Sequence, residues 1–462
     1  MAKARISFVC SGCGHDSPKW MGQCPKCKEW HTFEEFKAPT SKNEERNHQK
    51  RGFAGATSAA RVKLKDVSVE ESPRIVTGID EFDRVLGGGI TQGSATLISG
   101  DPGAGKSTLL LQIMDILAEN MEVSYITGEE SLQQIADRAS RLKLAHAGEI
   151  TMMAETEIDS ILKHMHELGP KVIVVDSIQA MYTNMVDGSP GGPSQVKECA
   201  QLLTQYAKAT GCALFLVGHV TKDQKMAGPK MLEHIIDISI SLEGGSDQRY
   251  RMLRAKKNRF GAVNELGCFA MMEEGLKAVS HPSKIFLSRP ERPVSGSVVA
   301  ALWEGTRPLL VEIQALSDDS NGGGNYRRTS VGIDSNRLSM LLAILNRHGS
   351  ADIGISDVFV NVVGGIKIIE TATDLAVILA FVSSVREKPI PQDMIIIGEL
   401  GLSGELRPVP QGFERLKEAQ KHGFKRAIVP KSNASKEVKG MKVHGVHHLQ
   451  DALSLLDEAW NG

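Results

Sequence analysis

The chain has 462 residues, a net charge of −1, 41% hydrophobic residues and seven cysteines. At roughly 100–200 residues per domain, two or three domains are expected. No apolar run reaches the ~18 residues of a membrane span, and the opening MAKARISFVC lacks the apolar stretch of a signal peptide, so a cytoplasmic protein with no membrane partner is expected.

Charge is unevenly spread. Residues 1–65 carry thirteen Lys/Arg against six Asp/Glu, a net of +7, which leaves −8 for the remainder. A basic arm suits nucleic acid, and it equally suits a solvated tail.

Four of the seven cysteines lie in residues 1–36, as Cys10, Cys13, Cys24 and Cys27. Seven cysteines in so long a chain do not form a disulfide framework. The pattern C-x2-C, ten residues, C-x2-C makes two knuckles whose thiolates can close a tetrahedral site, and soft sulfur ligands favour Zn²⁺. Four sulfurs leave no open position, so the expected zinc ribbon is structural; an iron–sulfur cluster or a redox pair is the remaining alternative. Lys19, Lys26 and Lys28, with Trp20 and Trp30, could meet phosphates and bases. The tryptophans could equally serve to pack the small module. Residues 37–72, with SKNEERNHQKRG and GATSAA, read as a polar linker.

From 73 to 280, short apolar runs alternate with helical stretches. Ala95–Ser99, Val123–Thr127, Val172–Val175 and Ala213–Val217 are rich in Val, Ile and Leu, as buried parallel strands are. An α/β domain with a mainly parallel sheet is predicted. GDPGAGKS at 100–107 matches G-x-x-x-x-G-K-[ST] between an apolar strand and a helix, the context a P-loop requires. Gly100, Asp101, Pro102, Gly103, Ala104 and Gly105 would wrap the phosphates with backbone N–H groups. Lys106 would bridge the β- and γ-phosphates, Ser107 would ligate Mg²⁺, and Thr108 would lie near the α-phosphate at a helix N-terminus. The nucleotide is taken to be ATP.

Asp176 ends the apolar run KVIVVDS and could hold the Mg²⁺ shell through water or polarise the attacking water. In TGEES, Glu129 and Glu130 both sit where a base could align water against the γ-phosphate; an acidic helix start is the competing reading. His219, at the end of ALFLVGH, could sense the γ-phosphate or be a satisfied structural histidine. SISLEGGSDQRYRMLRAK predicts strand, turn, strand. Lys257 and Arg259, two apart, would point the same way from an extended segment. They suit the phosphates of a neighbouring subunit, in the manner of an arginine finger, or are two solvated charges.

HPSKIFLSRPERPVSG marks a break, and 285–462 again mixes strands and helices around SDDSNGGGNYRR.

The paired cysteine knuckles, GDPGAGKS, TGEES, VIVVDS, GHVTKD and KNRFG occur in this order. Together they closely resemble the bacterial RadA (Sms) family over essentially the whole chain, with KNRFG as the family's own signature. The resemblance implies a RecA-like ATPase core in a hexameric ring that acts in recombinational repair, migrating branched DNA intermediates alongside RecA. It also implies that Lys257 and Arg259 serve hydrolysis at subunit interfaces, and that 179–195 and 222–231, with Lys222, Lys225 and Lys230, are mobile loops facing single-stranded and branched DNA. The C-terminal third resembles the proteolytic domain of Lon proteases, most clearly in GELGLSGELRPVPQGFERLKEAQKHGFKRAIVP. The Lon serine falls at Ala372 and the Lon lysine at Phe413 or Glu414, which gives neither nucleophile nor amine. A slip of one residue would bring in Thr371 or Thr373. A non-proteolytic α+β domain is therefore expected. An ATP-dependent protease and a RecA mediator that uses ATP as a switch are the rival functions.

Overall fold

The structure is a computed structural model that describes residues 6–11, 15–17, 19–37, 74–219, 229–244, 249–287, 292–319, 327–349 and 356–461. The chain falls into two units, Met1–Val69 and Glu70–Gly462. Cys13, the linker from 38 onward, Lys222, Lys225 and most of SDDSNGGGNYRR lie outside the described residues.

The first unit is a small antiparallel sheet. Strand β1 (Ile6–Cys10) lies between β2 (Asp16–Ser17) and β3 (Phe33–Lys37). Cys10 pairs with Phe33 across it, and the buried side chains of Cys10, Cys24 and Phe33 form its core.

The second unit opens with helix α1 (Asp80–Leu86), which is acidic in its first turn and stopped by Gly87 in the left-handed conformation. Then come β4 (Ala95–Gly100), α2 (Lys106–Ala118), β5 (Val123–Thr127), α3 (Leu132–Arg141), β6 (Thr151–Ala154), α4 (Ile158–Leu168) and β7 (Val172–Asp176). They are followed by α5 (Pro193–Thr210), β8 (Ala213–His219), the short α6 (Pro229–Leu232), β9 (Ile238–Gly244), β10 (Tyr250–Asn258), β11 (Leu266–Met272) and β12 (Gly275–Ala278). The nine strands order as β12-β11-β10-β9-β4-β8-β7-β5-β6. From β9 to β6 the pairing is parallel, and from β9 to β12 it is antiparallel.

The apolar runs follow from this placement. Side chains alternate across a strand, and both faces of the central strands are covered. Ile98, Val174, Phe215 and Val217 enter the core under α1 and α2. Leu97, Ile173, Val175, Leu214 and Leu216 enter the core under α4 and α5. No polar face remains, so the strands read as continuous hydrophobic stretches.

A second sheet follows, from β13 (Ser297–Glu304), β14 (Arg307–Asp319), β15 (Arg328–Val331), β16 (Ser356–Val362) and β17 (Met394–Ile396), with helices α7 (Ser335–His348) and α8 (Asp374–Val385). A small hairpin joins β18 (Glu399–Leu400) to β19 (Leu406–Arg407), and α9 (Gly412–Lys421), β20 (Arg426–Pro430), β21 (Lys442–Val446) and α10 (Leu449–Asn461) complete the chain. The strand order is β15-β16-β14-β13-β17-β20-β21.

The two sheets of this unit share a hydrophobic cluster in which Met252, Leu266 and Cys268 meet Phe286, Leu302, Leu309 and Val311. Beside it, Arg307 donates to both carboxylate oxygens of Glu81 on α1, at 2.9 and 2.7 Å. Glu81 is 3% exposed and also accepts from the Cys268 backbone N–H. Arg254 donates to Glu304 at 2.6 Å nearby. Among the described residues no helix is long and apolar enough to cross a membrane.

Candidate nucleotide site and metal ribbon

The P-loop leaves β4 at Gly100, where the chain passes so close to β9 that an added Cβ would lie 2.3 Å from the Leu242 carbonyl oxygen. Only glycine fits there. Gly105, with φ of 103°, turns the chain into α2. The buried Arg251 reaches in from β10 and donates to the Ala104 carbonyl at 3.0 Å, fastening the loop from the antiparallel side of the sheet. Lys106 curls over the loop, donating to the carbonyls of Gly100 at 2.8 Å and Asp101 at 3.1 Å. Burial pushes its ammonium below the ordinary lysine pKa, while the carboxylates of Asp176, Asp101 and Glu129 pull it back up. A buried cation held only by carbonyls is primed to exchange them for phosphate oxygens.

Asp176 ends β7 beside β5 and accepts from the Tyr125 hydroxyl at 2.6 Å. The Tyr125 hydroxyl also bonds the Ser107 side chain, and burial, with the nearby Asp176 charge, holds its pKa well above the ordinary tyrosine value. Tyr125 thus joins Ser107 and Asp176, the two residues expected around Mg²⁺. Sequence reading missed it, although alternation in VSYIT places it on the α2 side of the sheet.

The two acids of TGEES part company. Glu130 accepts from Arg138 on α3. Glu129 accepts from the Ser177 hydroxyl, and its Oε2 lies 3.3 Å from His219 Nε2. That contact has ion-pair distance without hydrogen-bond direction, because both ring nitrogens of His219 are buried and without a hydrogen-bond partner, as is Gln179 Oε1. Buried unpaired polar atoms are rare. Here they gather at the C-terminal ends of β7 and β8, beside the P-loop, which is where a triphosphate tail would end. Ser177 and Gln179 were not foreseen in this role, although Ser177 ends VIVVDS and Gln179 lies two residues beyond it.

Lys257 and Arg259 do point the same way, but toward their own chain. Lys257 donates to the carbonyls of Glu233 and, at 2.7 Å, Ile236, and Arg259 to the Asp237 carboxylate at 3.2 Å. Burial and the neighbouring Arg259 charge lower the Lys257 pKa. Lys257 is level with Ser239 on β9 and hence with Leu97 on β4, whereas the P-loop starts at Gly100. Both cations therefore sit at the opposite end of the sheet from their own P-loop, about 10 Å or more away at ~3.3 Å per residue.

Of the segments expected to face DNA, 179–195 is organised by one side chain. Gln195 accepts from the Thr183 N–H and donates to the carbonyls of Thr183 and Val186. It carries no cation. Of the lysines expected in 222–231, Lys230 alone is described, exposed on α6.

In the C-terminal sheet Ala372 is 3% exposed and shares one hydrophobic cluster with Phe413 and Leu416. Glu414 is exposed. The Thr371 hydroxyl donates to Glu399 at 2.6 Å, and Thr373 is buried.

In the first unit the sulfurs of Cys10, Cys24 and Cys27 lie within 4.8 Å of one another, with Cys10 and Cys27 at 3.5 Å. A tetrahedral centre with metal–sulfur bonds of about 2.3 Å sets its sulfurs roughly 3.8 Å apart, so the three thiols fit a metal. Backbone bonds from Lys28 N–H to the Cys24 carbonyl at 2.8 Å and from Cys10 N–H to the His15 carbonyl at 2.9 Å form the knuckles.

A family model described as an AAA domain matches residues 58–225, one described as subunit ChlI of Mg-chelatase matches 336–433, and one described as a rubredoxin metal binding domain matches 8–35. The chain is 56% identical to the DNA repair protein RadA of Salmonella typhimurium, over 99% of this chain and 100% of that one. The chain belongs to the RadA family. Identity to the Bacillus subtilis member is 43%, over 98% and 99% of the two chains. A solved KaiC-like protein of Pyrococcus horikoshii is 19% identical over 45% of this chain and 99% of its own, with a TM-score of 0.39. The fold expected of a RadA family member is therefore present: a RecA-like P-loop ATPase core, an N-terminal metal ribbon and a C-terminal Lon-like domain.

Proposed function

We propose that this protein is a DNA-dependent ATPase of homologous recombination and recombinational repair, working as a homohexameric ring that moves branched intermediates and assists RecA-mediated strand exchange. The observation that carries the reading is the position of Lys257 and Arg259, at the far end of the sheet from their own P-loop. Cations there can meet a nucleotide only if it belongs to a neighbouring subunit. ATP then sits between subunits, and hydrolysis couples to their relative movement. The name that these relatives carry, DNA repair protein, supports DNA as the track.

In this mechanism Lys106 leaves the carbonyls of Gly100 and Asp101 for the β- and γ-phosphates. Ser107, and Asp176 through water, would hold Mg²⁺, which when bound would supply charge neutralisation at the phosphate oxygens. Glu129 aligns and deprotonates the attacking water. His219, whose buried ring nitrogens have no hydrogen-bond partner, donates to the γ-phosphate and so registers its loss. Arg259, freed from Asp237, stabilises the transferring phosphoryl group from the next subunit. In the ribbon Cys10, Cys24 and Cys27, with Cys13 as the fourth ligand, would hold a structural Zn²⁺.

An alanine at 372, buried in the same apolar cluster that Phe413 packs on, supports a C-terminal domain without peptidase chemistry, because a Ser–Lys mechanism needs a hydroxyl beside an amine.

The test is the ATPase rate with and without single-stranded DNA, for the wild type and Lys257→Ala, at one stated salt concentration. Stimulation by DNA that the variant loses is expected. A wild-type rate indifferent to DNA would remove the motor and favour a mediator that uses ATP as a switch.

A further inference from the structure

The ribbon carries a feature that metal binding does not use. Trp20 and Trp30 are 52% and 66% exposed, so they do not pack the module. Among the described residues of this unit they are the only exposed large apolar side chains. Both rings border the same backbone point: a Cβ added to Gly22 would lie 3.7 Å from the Trp30 ring and 3.9 Å from the Trp20 ring. The His31 ring lies between them, its centroid 6.2 Å from that of Trp20 and 6.4 Å from that of Trp30.

The rings are held in place. Trp20 Nε1 donates to the Phe33 carbonyl at 3.2 Å, which uses its one polar group and leaves the ring faces outward. The His31 N–H donates to the Gly22 carbonyl at 2.8 Å, and Gln23 and Trp30 form a β-bridge. Exposed tryptophan faces fixed before binding are costly in water and useful to a ligand with flat apolar surfaces.

Lys19 directly precedes Trp20, and Lys26 and Lys28 lie in the turn closed by the Gln23–Trp30 bridge. All three are exposed, and none has an ion-pair partner among the described residues. Glu29 is the one acid in the same turn, and residues 1–65 together carry +7. Stacking surfaces interleaved with unpaired cations match the alternation of bases and phosphates along a single strand. Protein–protein interfaces are depleted of lysine, whereas three exposed lysines accompany the tryptophans here.

We infer that the Trp20–His31–Trp30 face of the ribbon, with Lys19, Lys26 and Lys28, is a binding platform for single-stranded nucleic acid, separate from the nucleotide site. The inference extends the proposed action on DNA but does not require ATP hydrolysis.

The test uses the full chain without nucleotide and a fluorescein-labelled oligo(dT) of about twenty bases, read by anisotropy. Trp20→Ala/Trp30→Ala should weaken binding about ten-fold or more, as loss of base stacking does, with bound zinc unchanged. Trp20→Phe/Trp30→Phe should restore most of the affinity, which a merely structural role of indole would not predict. Lys19→Ala/Lys28→Ala should lower affinity and flatten its salt dependence. Wild-type affinity in the alanine pair with zinc retained would overturn the inference. So would unchanged oligonucleotide binding together with lost binding of a protein partner. If the alanine pair loses zinc, the phenylalanine pair decides: failure to bind oligo(dT) with zinc in place would equally overturn it. DNA-stimulated ATP turnover of the same variants, measured in parallel, keeps the two readings apart. Its absence in the wild type counts against the motor, whereas oligonucleotide binding alone bears on the platform.

Discussion

Glu129 Oε2 lies 3.3 Å from His219 Nε2, while the adjacent Glu130 is engaged by Arg138 on α3. The two acids therefore have different work. Glu129→Gln should retain ATP binding and lose about 100-fold or more in turnover, the range of a lost general base. Glu130→Gln, which removes only an anchor for α3, should fall less than ten-fold. ATPase rates beside equilibrium binding of a fluorescent ATP analogue separate the two. Equal losses in both variants would undo the assignment of Glu129.

Lys106 and Arg259 are predicted to act on one nucleotide from two subunits. Lys106→Ala removes transition-state charge stabilisation, which costs about 100- to 1000-fold by analogy with oxyanion donors. Arg259→Ala removes a finger whose loss elsewhere costs about 1000-fold or more. Each variant alone should be nearly inactive. Mixing them before assembly should recover part of the rate, because some interfaces then pair an intact P-loop with an intact Arg259. A mixture no more active than its components would place both residues in one subunit's site.

Much of this candidate site is legible in the sequence. The P-loop, Asp176 and the acidic pair lie at strand ends, and strand ends were marked by apolar runs whose burial on both faces leaves a clear signal. What the sequence hid was mutual arrangement. Tyr125 sits inside an apolar run, and its bond to Asp176 depends on strands β5 and β7 being neighbours. Arg251 reaches Ala104 from 147 residues away. Nor does spacing alone reveal that Lys257 and Arg259 fold back onto residues 233–237 of their own chain. The ribbon was legible in its cysteines, whereas the exposure of Trp20 and Trp30 depends on a turn geometry that no spacing fixes.

Arg307→Ala should destabilise the second unit by about 3–5 kcal/mol, the cost of stranding a buried charge, since Glu81 would keep only its bonds to the Cys268 N–H and, loosely, Arg84. Adding Glu81→Gln should recover part of the loss. Urea midpoints of the single and double variants test this. A single variant as stable as the wild type would mean that water enters freely beside Glu81.

Burial pushes the thiols of Cys199, Cys212 and Cys268 up to about 12. At pH 8 the native chain should therefore leave these three unlabelled by iodoacetamide while urea exposes them, because the thiolate is the reactive form. Removing metal from the ribbon with a chelator should add reactivity at Cys10, Cys13, Cys24 and Cys27 alone. Mass spectrometry of labelled peptides reads both outcomes. Rapid labelling of Cys199 in the native chain would contradict the burial argument.

The bond between Arg307 and Glu81 also limits how the protein can be taken apart. A fragment ending near residue 280 keeps every strand of the nine-stranded sheet, yet it loses the only arginine on the Glu81 carboxylate from beyond α1, and it bares Met252, Leu266 and Cys268 where Phe286, Leu302 and Leu309 had covered them. Such an excised ATPase would be expected to precipitate or misfold for reasons unrelated to ATP or DNA. A deletion that abolishes activity would then say little about what the C-terminal sheet contributes in the intact enzyme, and point substitutions on its outer surface are the sounder instrument for asking.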